Sequence, residues 1–296
     1  MVSYDIYGTS RHMKIERILA GVDLGSDTGR VLAYAALFAK EMGASLDLLS
    51  VIDYLVTPPT YLVPYIEEEK RTVEGKFRFW SKELQDYGIT IKTEVMVGRL
   101  NESFEAAIQK GKADMLVLGF RSHTLRRSSS ERLIKGIALP MLVVKGRKSE
   151  SAGIGAVRIR KVLCAVDFSE MSEKALNMAK ALGDLFSAEV EAIHVLPSHV
   201  LEKRVKTESA RERARKELLD HAEGRLNALL REAGIENTGV IEEGDPYRRI
   251  VSFSEESESD LIVLGAKGLS FIRGVLIGSV TDAVLKSSPC PVLVAH

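Results

Sequence analysis

The stretch Gly265-Ala266-Lys267-Gly268, followed after nine further residues by Gly278-Ser279, has the residue types of a segment that receives an anion. Glycine lacks a Cβ, so its backbone can take positive φ and a phosphate can come close to main-chain N–H groups. The run Leu261-Ile262-Val263-Leu264 before it is apolar and strand-like, and a helical pattern opens at Ser279. A helix start there offers unpaired N–H groups and a partial positive charge. Ser279 then has two uses: it caps the helix, or its hydroxyl donates to a phosphate oxygen. Lys267 and Arg273 add charge to the same segment. A short glycine motif alone more often only shapes turns. The longer spacing Gly-x-x-Gly-x9-Gly-Ser, set between an apolar run and a helix, favours phosphate binding over that plainer account.

Other reactive residue types are scattered. Cys164 and Cys290 are the two cysteines, both in apolar runs, with no CxxC or Cys/His cluster. They read as core thiols in a reducing compartment. His194 reads as a core or strand-end histidine without a catalytic role. There is no GxxxxGK[ST] loop, no His-x-Gly-His or Ser-Gly-Gly-x-Asp-Ser pattern of adenylating enzymes, and no evident carboxylate cluster to hold Mg2+ for phosphoryl transfer. No catalytic residue and no protein metal ligand is therefore assigned. Lys and Arg number 41 and Asp and Glu 41, so net charge gives no case for nucleic acid or an anionic membrane as partner. The charged segment around Arg211-Glu212-Arg213 reads as a solvated helix face, because Glu interrupts the basic residues. No apolar run approaches the roughly 18 residues of a membrane span. Residues 1–13 are polar and unlike a signal peptide, so the expected location is cytoplasmic.

The elements that position the glycines come in duplicate. Ile18-Leu19-Ala20-Gly21-Val22-Asp23 matches Val162-Leu163-Cys164-Ala165-Val166-Asp167 at an offset of 144. Ala113-Asp114-Met115-Leu116-Val117-Leu118-Gly119 matches Ser259-Asp260-Leu261-Ile262-Val263-Leu264-Gly265 at 146, and the apolar runs after Pro140 and Pro291 match at 151. The period is a whole domain. The chain reads as a tail over 1–14, a domain over 15–147, a linker over 148–158 and a second domain over 159–296. Within each copy, apolar runs without alternation are separated by helical patterns, giving βαβαβαβαβ. Such runs belong to a parallel sheet covered on both faces, and right-handed crossovers make it doubly wound. Its ligand crevice lies outside the carboxyl ends of the strands, where strand order reverses.

The glycine arrangement resembles the nucleotide-binding signature of the universal stress protein family. Ala165-Val166-Asp167, His194-Val195, Gly244-Asp245-Pro246 and Ser288-Pro289-Cys290-Pro291 resemble that family too. The likeness covers most of residues 160–296, and the same framework without the loop covers about 16–145. The chain resembles a tandem universal stress protein: two doubly wound five-stranded α/β domains of the Rossmann-like, adenine nucleotide alpha-hydrolase-like kind, arranged as a pseudo-twofold pair through their last strands. A further homodimer is compatible with this. The resemblance implies an adenine nucleotide, ATP, ADP or AMP, with Mg2+ or Mn2+ as an optional companion ion. Asp167 would lie beside the nucleoside, although an Asp at a strand-to-helix turn also serves as a helix cap. Val195 would present backbone groups to the adenine edge. Gly265 and Gly268 would line the ribose and first phosphate, and Gly278 and Ser279 would hold the phosphates.

The first copy keeps Asp23 and Gly119, but its loop is about five residues shorter. Ser122 stands for Gly268, Arg127 for Gly278 and Ser128 for Ser279. The expectation is one nucleotide per chain, in the second copy. The implied function is a stress-related binding module that signals to an unidentified protein partner. The competing class is an enzyme: a slow ATPase, an autokinase or a nucleotidyl transferase.

Overall fold

The computed structural model describes residues 14–25, 27–53, 62–120, 129–145, 153–197, 208–237, 239–268 and 277–296. Residues 1–13 of the N-terminal tail, Arg273, the first-copy loop positions Ser122, Arg127 and Ser128, and linker residues 148–152 lie outside them. The described residues fall into two compact units, Lys14–Arg158 and Ile159–His296.

The first unit runs β1 (Arg17–Gly21), α1 (Thr28–Met42), β2 (Ser45–Asp53), α2 (Val63–Asp86), β3 (Ile91–Gly98), α3 (Leu100–Gly111), β4 (Met115–Gly119), α4 (Ser129–Gly136) and β5 (Met141–Val144). Its strands are parallel in the order β3-β2-β1-β4-β5. The second unit runs β6 (Lys161–Ala165), α5 (Glu170–Phe186), β7 (Glu189–Pro197), α6 (Glu208–Glu232), β8 (Val240–Gly244), α7 (Pro246–Glu256), β9 (Leu261–Gly265), α8 (Ser279–Ser287) and β10 (Val292–Ala295). Its order is β8-β7-β6-β9-β10, again parallel. Each unit is thus the doubly wound α/β sheet expected from the repeat.

The core strands explain their own composition. Val162, Leu163 and Cys164 of β6 and Leu261, Ile262 and Val263 of β9 have no exposed surface, because both faces of the sheet are covered. Burial raises the thiol pKa of Cys164, and that of Cys290 to about 12, so both are inert core groups. The matched aspartates before β4 and β9 have equivalent structural roles. Asp114 Oδ2 accepts from the backbone N–H groups of Glu16 and Arg17 at 2.8 and 2.9 Å. Asp260 Oδ2 accepts from those of Arg160 and Lys161 at 2.8 and 3.1 Å. Each carboxylate ties the start of one central strand to the next. In the second unit strand order reverses between β6 and β9, which places the crevice between their carboxyl ends.

Candidate functional site

The crevice begins with the turn after β6. Val166 N–H donates to Ile193 O at 2.9 Å, carrying the turn past the last paired residue of the strand. Asp167 Oδ1 then accepts from the N–H of Ser169 at 3.1 Å and from its hydroxyl at 2.5 Å. Between them Phe168 adopts φ +64, a left-handed conformation that costs a non-glycine residue on the order of 1 kcal/mol. The cap of α5 is Ser169, whose hydroxyl accepts from Ser172 N–H. Asp167 is therefore not the helix cap; it stands two residues before it, at the cavity.

The other wall comes from β9 and α8. Ala266 N–H donates to Ala295 O, and Gly278 N–H donates to Ala266 O, each at 2.7 Å. The first ties the segment to the end of β10, and the second brings its two ends together. Thr281 Oγ1 donates to Gly265 O at 2.9 Å and ties the first turn of α8 to the end of β9. Asp167, Val195, Gly265, Gly268, Gly278 and Ser279 all line one cavity of about 380 Å³. Val195 lies two residues beyond Ile193, the last β7 residue paired with β6.

Two expectations about this segment need correction. Gly265, Gly268 and Gly278 do not adopt positive φ. Gly265 is required by packing, since a Cβ there would meet the main chain of Met171 at 2.8 Å. Gly268 is required by the carboxylate of Asp167. Ser279 also does not cap α8: Gly278 holds the cap position, with φ −72 and ψ 160, and no side chain caps the helix. Among the described residues, the atoms nearest a Cβ on Gly278 are backbone atoms at 3.6–3.7 Å, which is ordinary contact. Neither its conformation nor the packing of the described residues requires glycine at this position. What glycine keeps there is open space in front of an uncapped helix start, which suits an anion.

A family model for the universal stress protein family matches residues 14–145 and 158–296. The chain belongs to the universal stress protein family. A universal stress protein of Methanocaldococcus jannaschii is 30% identical over 155 residues, 47% of this chain and 96% of that protein. A universal stress protein of Synechocystis is 28% identical over 190 residues, 62% of this chain and 58% of its own. The crystal structure of a universal stress protein from Archaeoglobus fulgidus shares the fold over 98% of each chain, with a TM-score of 0.70 and 22% identity.

The two universal stress protein units differ at their crevices. In the first, Asp23 Oδ1 accepts from Gly25 N–H at 2.9 Å and Leu24 repeats the left-handed turn with φ +54. Ser130 Oγ donates to Gly119 O, as Thr281 does to Gly265. Yet the cavity is only about 190 Å³. Phe104 of α3 lies against Gly21, where a Cβ would come within 2.6 Å of its ring. Arg132 Nη2 of α4 pairs with Asp53 Oδ2 at 2.7 Å, and Asp53 Oδ1 accepts from Leu100 N–H at 3.2 Å. The corresponding residues in the second unit are Ile250, Ala283 and Pro197, and none of them can make this closure. Sequence reasoning missed Phe104, Asp53 and Arg132; the side-by-side repeat held the signal, a small apolar or neutral residue exchanged for a large or charged one at each position.

Among the described residues no three His, Cys, Asp or Glu side chains are grouped to hold a metal ion. None of the described helices is long and apolar enough to cross a membrane.

Proposed function

We propose that the second unit binds an adenine nucleotide, ATP, ADP or AMP, and that the chain acts as a stress-related nucleotide-binding module. Val195 and Asp167 hold the nucleoside end, Gly265 and Gly268 flank the ribose and first phosphate, and Gly278 and Ser279 take the remaining phosphates. The observation that carries this reading is Gly278. It is a glycine demanded neither by φ nor by packing among the described residues, at an uncapped helix start, on the wall of a cavity of about 380 Å³. Main-chain N–H groups and the helix dipole supply the attraction for phosphate. Mg2+ or Mn2+ would be carried by the phosphates rather than by a dedicated protein cluster. The first unit does not hold a nucleotide tightly, because Phe104 and Asp53, the latter fixed by Arg132, line a smaller cavity there. Calorimetric titration of the full chain with ATP and with AMP tests this, with one site per chain as the expected result. Two equal sites, or no heat with either ligand, would overturn it.

A further inference from the structure

Among the described residues, the large apolar side chains left exposed are Val63, Tyr65, Phe79 and Val97. All four lie on α2 or on β3, the edge strand of the first unit, which α2 packs against. The inner face of α2 is already used: Ile66, Phe77 and Leu84 are buried. Its outer face carries a second stripe at helical spacing, made of Tyr65, Glu68, Thr72, Gly75, Phe79 and Lys82. On it Tyr65 is 67% and Phe79 59% exposed. Aromatic groups gathered on the solvent side of one helix mark a contact surface.

The second unit shows that this aromatic pair is not scaffold. Lys76 Nζ of α2 donates to Leu24 O at 3.3 Å, in the left-handed turn after β1. Arg225 Nη2 of α6 donates to Phe168 O at 3.4 Å, in the matching turn after β6. The two helices thus do the same work, and these cations set them in register. Phe77 and Leu226 then coincide, and both are buried. In that register Ala214 and Ala228 stand where α2 has Tyr65 and Phe79. A helix in this place holds its turn and fills its core with no aromatic group outside.

The charges on the outer stripe point to a second copy of the chain. Between Tyr65 and Lys82 the stripe holds two, Glu68 near its start and Lys82 at its end, with the small Thr72 and Gly75 between them. Laid antiparallel on itself, about a two-fold axis passing between Thr72 and Gly75, the stripe is self-complementary. Glu68 then comes within one turn of Lys82 of the second copy, and Tyr65 within one turn of its Phe79. The small central residues let the helix axes approach. A parallel pairing would set Glu68 against Glu68 and Lys82 against Lys82. We propose that α2 is a homodimer surface: two chains pair through the outer faces of their α2 helices, antiparallel, in a closed isologous contact. Nothing in this pairing depends on a bound nucleotide.

Analytical ultracentrifugation of the full chain over a concentration series tests it. The wild type should pass from monomer to dimer and no further. Phe79→Ala should weaken the dimer by roughly a hundredfold, because the two-fold axis applies the loss twice. Lys82→Glu should weaken it by roughly tenfold, and adding Glu68→Lys should bring it back to within about threefold of the wild type. These side chains are exposed, so the variants should keep the wild-type Tm. Trp80, the one tryptophan of the chain, stands edge-on to Phe79 with ring centroids 5.2 Å apart, so its emission should change at the same midpoint as dimer formation. If a variant does not fold, Trp80 decides on the wild type: a dimer that forms without changing its emission overturns the proposal. So does a monomer at every concentration, which would leave the stripe to a different protein. A dimer indifferent to Phe79→Ala and Lys82→Glu, or a charge reversal that the second change does not rescue, overturns it too and moves the contact to another face.

Discussion

The α-carbon of Gly268 rests directly on the carboxylate of Asp167, so that a Cβ built on Gly268 would fall well inside 3.0 Å of Oδ2. The carboxylate cannot retreat freely, because Oδ1 accepts from the N–H and hydroxyl of Ser169 at 3.1 and 2.5 Å. Those bonds order the turn that leads into α5. Gly268→Ala should therefore lower stability by about 1–3 kcal/mol through overpacking, seen as a lower Tm, and weaken nucleotide binding with it. An unchanged Tm would mean that Asp167 has room to swing away.

Gly278 should behave in the opposite sense. Its φ of −72 and ψ of 160 are open to any L-residue, and the space at its Cβ is free to 3.6 Å. Gly278→Val should keep stability within about 1 kcal/mol of the wild type and abolish binding, because its methyl groups would occupy the phosphate position. Ser279→Ala should cost about 1 kcal/mol of affinity, somewhat more where the lost bond is charge-assisted. Thermal unfolding and calorimetry on the same samples separate the two effects. Undiminished affinity in Gly278→Val would leave the glycine as an ordinary turn residue.

The order of elements was legible because each unit repeats a strong local signal: an apolar run, then a helical period, with an aspartate such as Asp114 or Asp260 at a fixed place. The glycine segment was legible as one unit, and its residues do line one cavity, because they lie close in sequence. The reasons for its individual glycines were not. Gly265 answers to Met171, and Gly268 to Asp167, partners about a hundred residues away whose approach depends on how α5 packs on β9. The same holds for Asp53 and Arg132, 79 residues apart. Position in sequence reveals which residue types are present; whether a glycine faces a neighbour or an opening is decided by tertiary packing.

Stability should fall on mild acidification. Among the described residues His296 Nε2 is sealed without a partner, and desolvation, followed by the charge of Lys267, pushes its pKa down to about 4. The folded value lies below the ordinary 6.5, so the unfolded chain binds the proton more readily. The contribution is whole above pH 6.5 and is lost as pH falls toward 4, by up to about 3 kcal/mol. Desolvation of His194 acts in the same direction. Thermal unfolding from pH 7 to 5, before most carboxylates titrate, should show Tm falling, with a shallower slope in His296→Gln. A parallel slope would place the acid sensitivity elsewhere.

The first unit offers a gain-of-function test. Its cavity is about 190 Å³, against about 380 Å³ in the second, and is lined by Phe104, which lies over Gly21, and by Asp53, which Arg132 holds in an ion pair. Phe104→Ile and Arg132→Ala install the residue types that the second unit has at Ile250 and Ala283. The first change should cost about 1–2 kcal/mol of core packing. The second should cost under about 1 kcal/mol, because the arginine side chain is 37% exposed and its ion pair is screened. Together they free the floor of the crevice beside Asp23 while leaving the short loop that carries Arg127 unchanged. The double variant should therefore acquire a second, weaker site for adenosine, with no matching gain in the preference for ATP over adenosine at that site. Calorimetry in a background of Gly278→Val, which silences the second unit, isolates the new heat. A folded variant that binds no adenosine would show that the closure by Phe104 and Arg132 is not what keeps the first crevice empty of nucleoside.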